Sequence, residues 1–163
     1  MKVILFFWQL PQNVLGLLFR VYWALFDGSV WTTTTKSNIR KERYEDSVVY
    51  VVPSKTFSGV SLGRYIFIGE SRDLDPHIRA HEYGHSIQSK ILGPLYLLLV
   101  GIPSLTLNRL SVIKYNRAMR KAEKRFRETG QSFTRAEIVK PILDWYYSSY
   151  PEKWADKLGG VRR

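Results

Sequence analysis

The stretch HEYGHSIQSKILG, His81–Gly93, decides how this chain is read. His81 and His85 stand four residues apart and Glu82 follows the first of them. On an α-helix, residues four apart lie one turn apart on the same face, so both imidazoles can reach one ion while Glu82 sits beside it. The flanks predict that helix independently. Asp75 is a natural N-cap, Pro76 suits the first helical position, and Gly93-Pro94 is a stop, which bounds a helix over 76–92. His77 joins the same stripe, but it lies about 12 Å from His85 along the axis, too far for both to hold one ion. It is read as a cleft or surface residue.

The chemistry needs these residue types. With no cysteine in the chain, zinc can be held only by histidine and carboxylate. Neutral imidazoles bind zinc well, an ion so held brings a bound water to a pKa of roughly 7, and an adjacent carboxylate can take its proton as it attacks a carbonyl. Glu82 is the expected general base. A third ligand is offered by EKWAD, where Glu152 and Asp156 stand at i and i+4 on a helix expected over 151–158, opened by Pro151 and ended by Gly159-Gly160. One carboxylate can bind the metal while the other accepts the second ring N–H of a ligand histidine and fixes its tautomer. Trp154 and Leu158, on another face, are available to dock the helix.

HEYGH followed by EKWAD resembles the gluzincins, the thermolysin-like branch of zinc peptidases. The pattern is most similar to the HExxH…ExxAD of the membrane-embedded CAAX prenyl proteases and the related heat-shock membrane proteases. The resemblance covers the two motif helices and the placing of apolar segments before and between them; those enzymes have several clear spanning helices, where this chain has short or broken ones. It implies that His81, His85 and Glu152 bind zinc, that Glu82 is the base and that Asp156 stands behind a ligand histidine. It also implies that the strand before the HEYGH helix, around GRYIFIG (63–69), is the sheet edge that takes an extended substrate. Tyr146, Tyr147, Tyr150 and His77 are all available to stabilise an oxyanion, and spacing selects none of them.

Around the motifs, 163 residues suffice for one domain with a sizeable core, and a net charge of +11 points to a polyanionic partner. Residues 1–27 read as an apolar helix. Its polar or small interruptions, Gln9, Asn13, Gly16, Arg20, Ala24 and Asp27, fall 4, 3, 4, 4 and 3 apart, one narrow stripe that can face protein or lipid headgroups. Those interruptions fit neither a clean spanning helix nor a cleaved signal. Residues 27–46 read as a connecting loop with some extended character. SVVYVVPS (47–54) and RYIFIGE (64–70) predict a small antiparallel sheet over 47–70, of two or three strands. Residues 91–107 carry no charge, yet glycine and proline at 93, 94, 101 and 103 predict a bent or re-entrant segment. Residues 109–127 hold eight Lys or Arg against Glu123 and predict a basic, roughly amphipathic helix. Thr134 and Glu137 form a capping box for another helix, which Pro141 is expected to kink or interrupt.

The whole predicts a single α+β, mainly helical zincin-like domain over 1–163. Its expected function is that of a membrane-associated zinc metallopeptidase at the cytoplasmic face, with a protein or peptide substrate and membrane lipids as partners. The rival is a non-enzymatic membrane-surface protein with a structural or degenerate zinc site, separable by whether a fourth protein ligand closes the site. Nucleic acid ranks below both, since no recognised nucleic-acid fold motif accompanies the charge. Substrate specificity and oligomeric state are not legible.

Overall fold

Two runs of β-branched residues build the centre of the sheet. In the computed structural model, which describes residues 2–26 and 39–162, SVVYVV forms β2 (Ser47–Val52) and YIFIG forms β4 (Tyr65–Gly69). Two further strands flank them, β1 (Arg40–Tyr44) and β3 (Gly59–Leu62), in the order β1-β2-β4-β3. β1 had been concealed in the 27–46 loop by its charged sequence RKERY; the rest of that loop, 27–38, and Asp27 of the stripe lie outside the described residues. The α+β class holds, but the sheet is mixed. β2 and β4 run parallel, Val48 opposite Tyr65 through Val52 opposite Gly69, while β1 with β2 and β3 with β4 are antiparallel. Two-residue reversals join β1 to β2, where Glu45 takes φ +53, and β3 to β4, where Gly63 takes φ +66. The segment after β2 steps past one strand position, so β4 returns beside β2 in the same direction.

Period-two alternation gives this sheet two apolar faces. Val48, Tyr50, Val52 and Phe67 form one, packed by Phe19 and Trp23; Val49, Val51, Ile66 and Ile68 form the other, packed by Ile78 and Tyr83. The first pair of packing residues belongs to α2 (Leu10–Phe26), which follows the short α1 (Lys2–Trp8); the second belongs to α3 (Pro76–Leu92). The sheet is therefore sandwiched between α2 and α3.

α2 is inside out. Its buried face carries Gln12, Asn13 and Gly16, with Gln9 buried just before its first residue, and its exposed face carries Leu10, Val14, Leu15, Leu17, Leu18, Val21, Tyr22 and Leu25. The buried polar side chains are bonded. Gln9 Nε2 donates to Ser89 Oγ at 2.8 Å, Gln12 Nε2 donates to the Gly93 carbonyl, and Asn13 Oδ1 accepts from the Arg64 amide at 3.0 Å. Gly16 is required by contact, since a Cβ there would stand 2.7 Å from the Tyr65 ring. Arg20 lies over the Tyr50 ring, 5.4 Å from its centroid. The expected stripe thus faces protein.

α3 begins and ends where its signals predict. Asp75 caps it by accepting from the His77 amide at 2.9 Å, Pro76 opens it, and Gly93 at φ +54 ends it. Its first turn is tied to β1 by a four-membered charge cluster in which Arg40 and Arg79 each bond both Glu42 and Asp73.

The described chain divides into two compact units, one running to Leu97 and resuming at Trp154, the other spanning Leu98–Lys153. The second unit holds α4 (Ile102–Thr129) and α5 (Arg135–Ser148), packed on each other with Lys114 Nζ 3.3 Å from the centroid of the Trp145 ring. Thr134 and Glu137 form the expected reciprocal cap. Pro141, by contrast, lies inside α5 without interrupting it. The expectation of a broken apolar segment followed by a separate basic helix is also corrected. After a short turn at Gly93–Leu95 the chain is helical from Leu97 to Thr129, with a wider π turn over Leu97–Gly101 accommodating Gly101 and Pro103. That helix is long and apolar enough to cross a membrane. α6 (Glu152–Gly159) closes the described chain.

The charge cluster generates a pH dependence. The guanidinium of Arg40, then that of Arg79, holds the Glu42 carboxyl below the usual carboxylate range. A carboxylate with a lowered folded-state pKa stabilises above its ordinary value near 4.3 and loses that contribution as pH falls through the lowered one. The Glu42 side chain is 31% exposed, so Glu42→Gln should cost no more than about 1 kcal/mol at pH 7. In denaturant titrations the gap between wild type and variant should close below about pH 4.

Candidate metal centre

The site is made by three buried helical side chains that sequence separates by up to 71 positions. His81 and His85 project from α3, and Glu152 opens α6. One ligand atom from each lies within 4.8 Å of the other two, and all three residues are buried. The imidazole rings are 4.8 Å apart between centroids and nearly perpendicular. Ligands at about 2.1 Å from a tetrahedral ion stand roughly 3.4 Å apart, so a small closure of the side chains completes the geometry, and two nitrogens with one carboxylate oxygen is a donor set that suits zinc. The residues present fit the ion.

Each histidine has its orientation fixed from behind. His81 Nδ1–H donates to Asp156 Oδ1 at 2.7 Å, and His85 Nδ1–H donates to Gln88 Oε1 at 2.7 Å. A histidine bonded at Nδ1 ligates a metal through Nε2. Asp156, expected behind a ligand histidine, is thus bonded to His81. Gln88, fully buried, was missed; the available signal was its position one turn after His85 on the same side of the helix.

Backbone proximity brings the two helices together. A Cβ at Gly84 would stand 2.0 Å from the Ala155 carbonyl oxygen, and one at Gly159 would stand 2.0 Å from the Ala80 carbonyl oxygen. The docking surface of α6 is accordingly Ala155 and Gly159, at i and i+4, while Trp154 and Leu158 are only half buried. A third glycine shapes the base. A Cβ at Gly59 in β3 would meet Glu82 Oε1 at 2.5 Å. No local feature of the sequence marks Gly59 as the residue beside Glu82.

Tyr83 points to the sheet, edge-on to Tyr44 with centroids 5.7 Å apart, and burial followed by the nearby Asp46 and Glu45 pushes its phenol up. It stays protonated at neutral pH. His77 is exposed on the first turn of α3, outside the cluster. The expected substrate edge is corrected: GRYIFIG contains β4, which is paired on both sides, and the edge strand on that side of the sheet is β3. The turn at Gly63 folds β3 outward over β4, so the strand nearest α3 in sequence is interior in space.

Comparison with family models, with curated proteins and with solved structures finds no match to this chain.

Two substitutions separate the parts of the site. Gln88→Leu leaves the helix intact and should weaken zinc binding about 10–100-fold, as expected for loss of the partner that orients a ligand histidine. Gly84→Val sets a side chain against backbone that cannot turn aside, and should abolish high-affinity zinc binding by separating α6 from α3. Competition against a chromophoric chelator measures both.

Proposed function

We propose that the chain is a zinc-dependent peptide hydrolase held at a membrane, similar in site chemistry to the gluzincins. The observation that carries this reading is the convergence of His81, His85 and Glu152 with Glu82 on the same helix. When bound, zinc would acidify a water and polarise the scissile carbonyl. Glu82 takes the proton of the attacking water and returns it to the departing amine as the C–N bond breaks. Gly59, by leaving room for the carboxylate, keeps Glu82 where that transfer is made.

The open edge at β3 supports a peptide substrate. An extended segment can add to an unpaired strand through main-chain hydrogen bonds, and on β3 it would run past Gly59 and therefore past Glu82. Three metal-binding side chains converge among the described residues. A structural zinc takes four protein ligands, whereas three leave a position for water and substrate, which supports catalysis over the structural rival. Exposed apolar residues on α2 and the span-length helix from Leu97 support membrane attachment, and the Lys/Arg-rich stretch 109–127 supports the cytoplasmic side.

Glu82→Gln should retain stoichiometric zinc and lose hydrolysis of a quenched-fluorescence peptide library, because Glu82 supplies proton transfer and no metal bond. Loss of the metal in that variant with the fold intact would refute the role. Gly59→Ala offers a graded version, since the added methyl displaces only the end of a flexible side chain: zinc should remain bound while kcat falls more than KM rises.

A further inference from the structure

The α1–α2 segment presents one surface with no role in the site. Val3, Ile4, Phe7 and Trp8 of α1 are exposed, as are Leu10, Val14, Leu15, Leu17, Leu18, Val21, Tyr22 and Leu25 of α2. At 3.6 residues per turn the exposed residues of α2 occupy an arc of about 160°, without a charge in it, directly opposite the buried polar stripe. This reverses a water-soluble helix, in which the polar side faces out. A surface of this size is not left to water. A net charge of +11 on the chain matches an anionic leaflet, and Trp8 and Tyr22, each about half exposed, are residue types that favour the membrane interface.

A helix of this kind can cross a bilayer or lie in its surface, and its neighbours decide. α2 is fastened to the sheet layer along its length, through Asn13 to Arg64, Gly16 to Tyr65, Phe19 to Phe67 and Trp23 to Phe57. Crossing the hydrocarbon would carry this sheet in with it. Among the described residues the sheet ends in β3, unpaired on its outer side, and in β1, where Arg40, Lys41 and Arg43 are exposed. Neither open strand edges nor exposed charges are tolerated in hydrocarbon.

We infer that α1–α2 is an in-plane anchor: its apolar arc lies in the headgroup–acyl boundary of one anionic leaflet, and the sheet stands on it. This rests on the membrane-bound reading above and deepens it. The HEYGH helix packs Ile78 and Tyr83 on the opposite face of the sheet, and its C-terminal end, at Ser89 and Gly93, is bonded to the polar side of the anchor. An anchor lying in the surface keeps the sheet and its β3 edge on the water side, so the substrate is a water-exposed extended segment of protein.

The absence of cysteine makes the test clean. Single cysteines at Ile4, Leu18 and Leu25, all on the exposed arc, and at Leu74, 94% exposed just before α3, are labelled with an environment-sensitive fluorophore. The full chain is then reconstituted in phosphatidylcholine–phosphatidylserine vesicles carrying bromines at known acyl depths. The in-plane anchor gives one shallow depth, about 5–10 Å below the surface, for positions 4, 18 and 25, and no quenching at 74. A crossing helix gives a deep Leu18 between shallow ends, with the two ends reached by an impermeant thiol reagent from opposite sides, and would overturn the inference. So would absence of quenching at all four positions with sedimentation as a dimer, which would mean that a second copy covers the arc. Labels report depth whether or not zinc is bound or peptide cleaved, so failure here leaves the hydrolase reading standing, and an inactive protein leaves the anchor standing.

Discussion

Everything at the metal centre depends on how closely two helix backbones approach. Glu152 reaches the two histidines only because α6 lies against α3 with no side chains between them at two points, Gly84 under Ala155 and Ala80 under Gly159. Ordinary helix pairs sit 8–10 Å apart because side chains interleave; small residues reduce that separation. The same contact sets the reach of Asp156, one turn after Glu152, to the Nδ1 of His81. One packing decision therefore brings one carboxylate to the histidine pair and another to the Nδ1 of His81.

Buried polar side chains of the first unit form a connected set between the α1–α2 segment and α3. Gln88 holds His85, the adjacent Ser89 is held by Gln9, and Gln12 bonds the carbonyl of Gly93 at the end of the same helix. Burying amides without partners costs roughly 1–3 kcal/mol each, so a helix that offers amides to α3 is worth keeping even though its other face must then be apolar. The inversion of α2 and the polarity of the metal helix are two sides of one arrangement. Apolar packing of the first unit is carried by the sheet, whose central residues Val49, Val52, Ile66, Phe67 and Ile68 are fully buried.

Local signals were legible and non-local ones were not. The bounds of α3 could be read because a cap, a proline and a glycine act within a few residues of the helix they delimit, and the HEYGH spacing is itself a local geometric fact. The inward stripe of α2 was visible for the same reason. Glu152 was reachable because its own neighbours repeat a recognisable spacing with Asp156. Gly59 and Gln88 were not: what distinguishes them is a contact across space, and a glycine or glutamine carries no mark of it. The sheet was read as antiparallel because strand runs reveal composition and not partners, and β1 escaped because charged edge residues suppress the alternation that announces a strand. Pro141 and Pro103 show the opposite error, where a strong local signal was absorbed by tertiary context.

The two edges of the sheet are unlike. β1 ends it with RKERY, three cations and an acid along five residues, and β3 ends it with GVSL, small and uncharged. Charge on an edge strand repels further strands, and its absence leaves main-chain groups able to recruit one. Growth of this sheet is therefore one-sided. A copy of the chain that tried to stack onto β1 would meet like charges, so runaway edge-to-edge association is blocked at one end while the other stays receptive, and the polarity of the sheet protects the protein from itself without closing it to a guest.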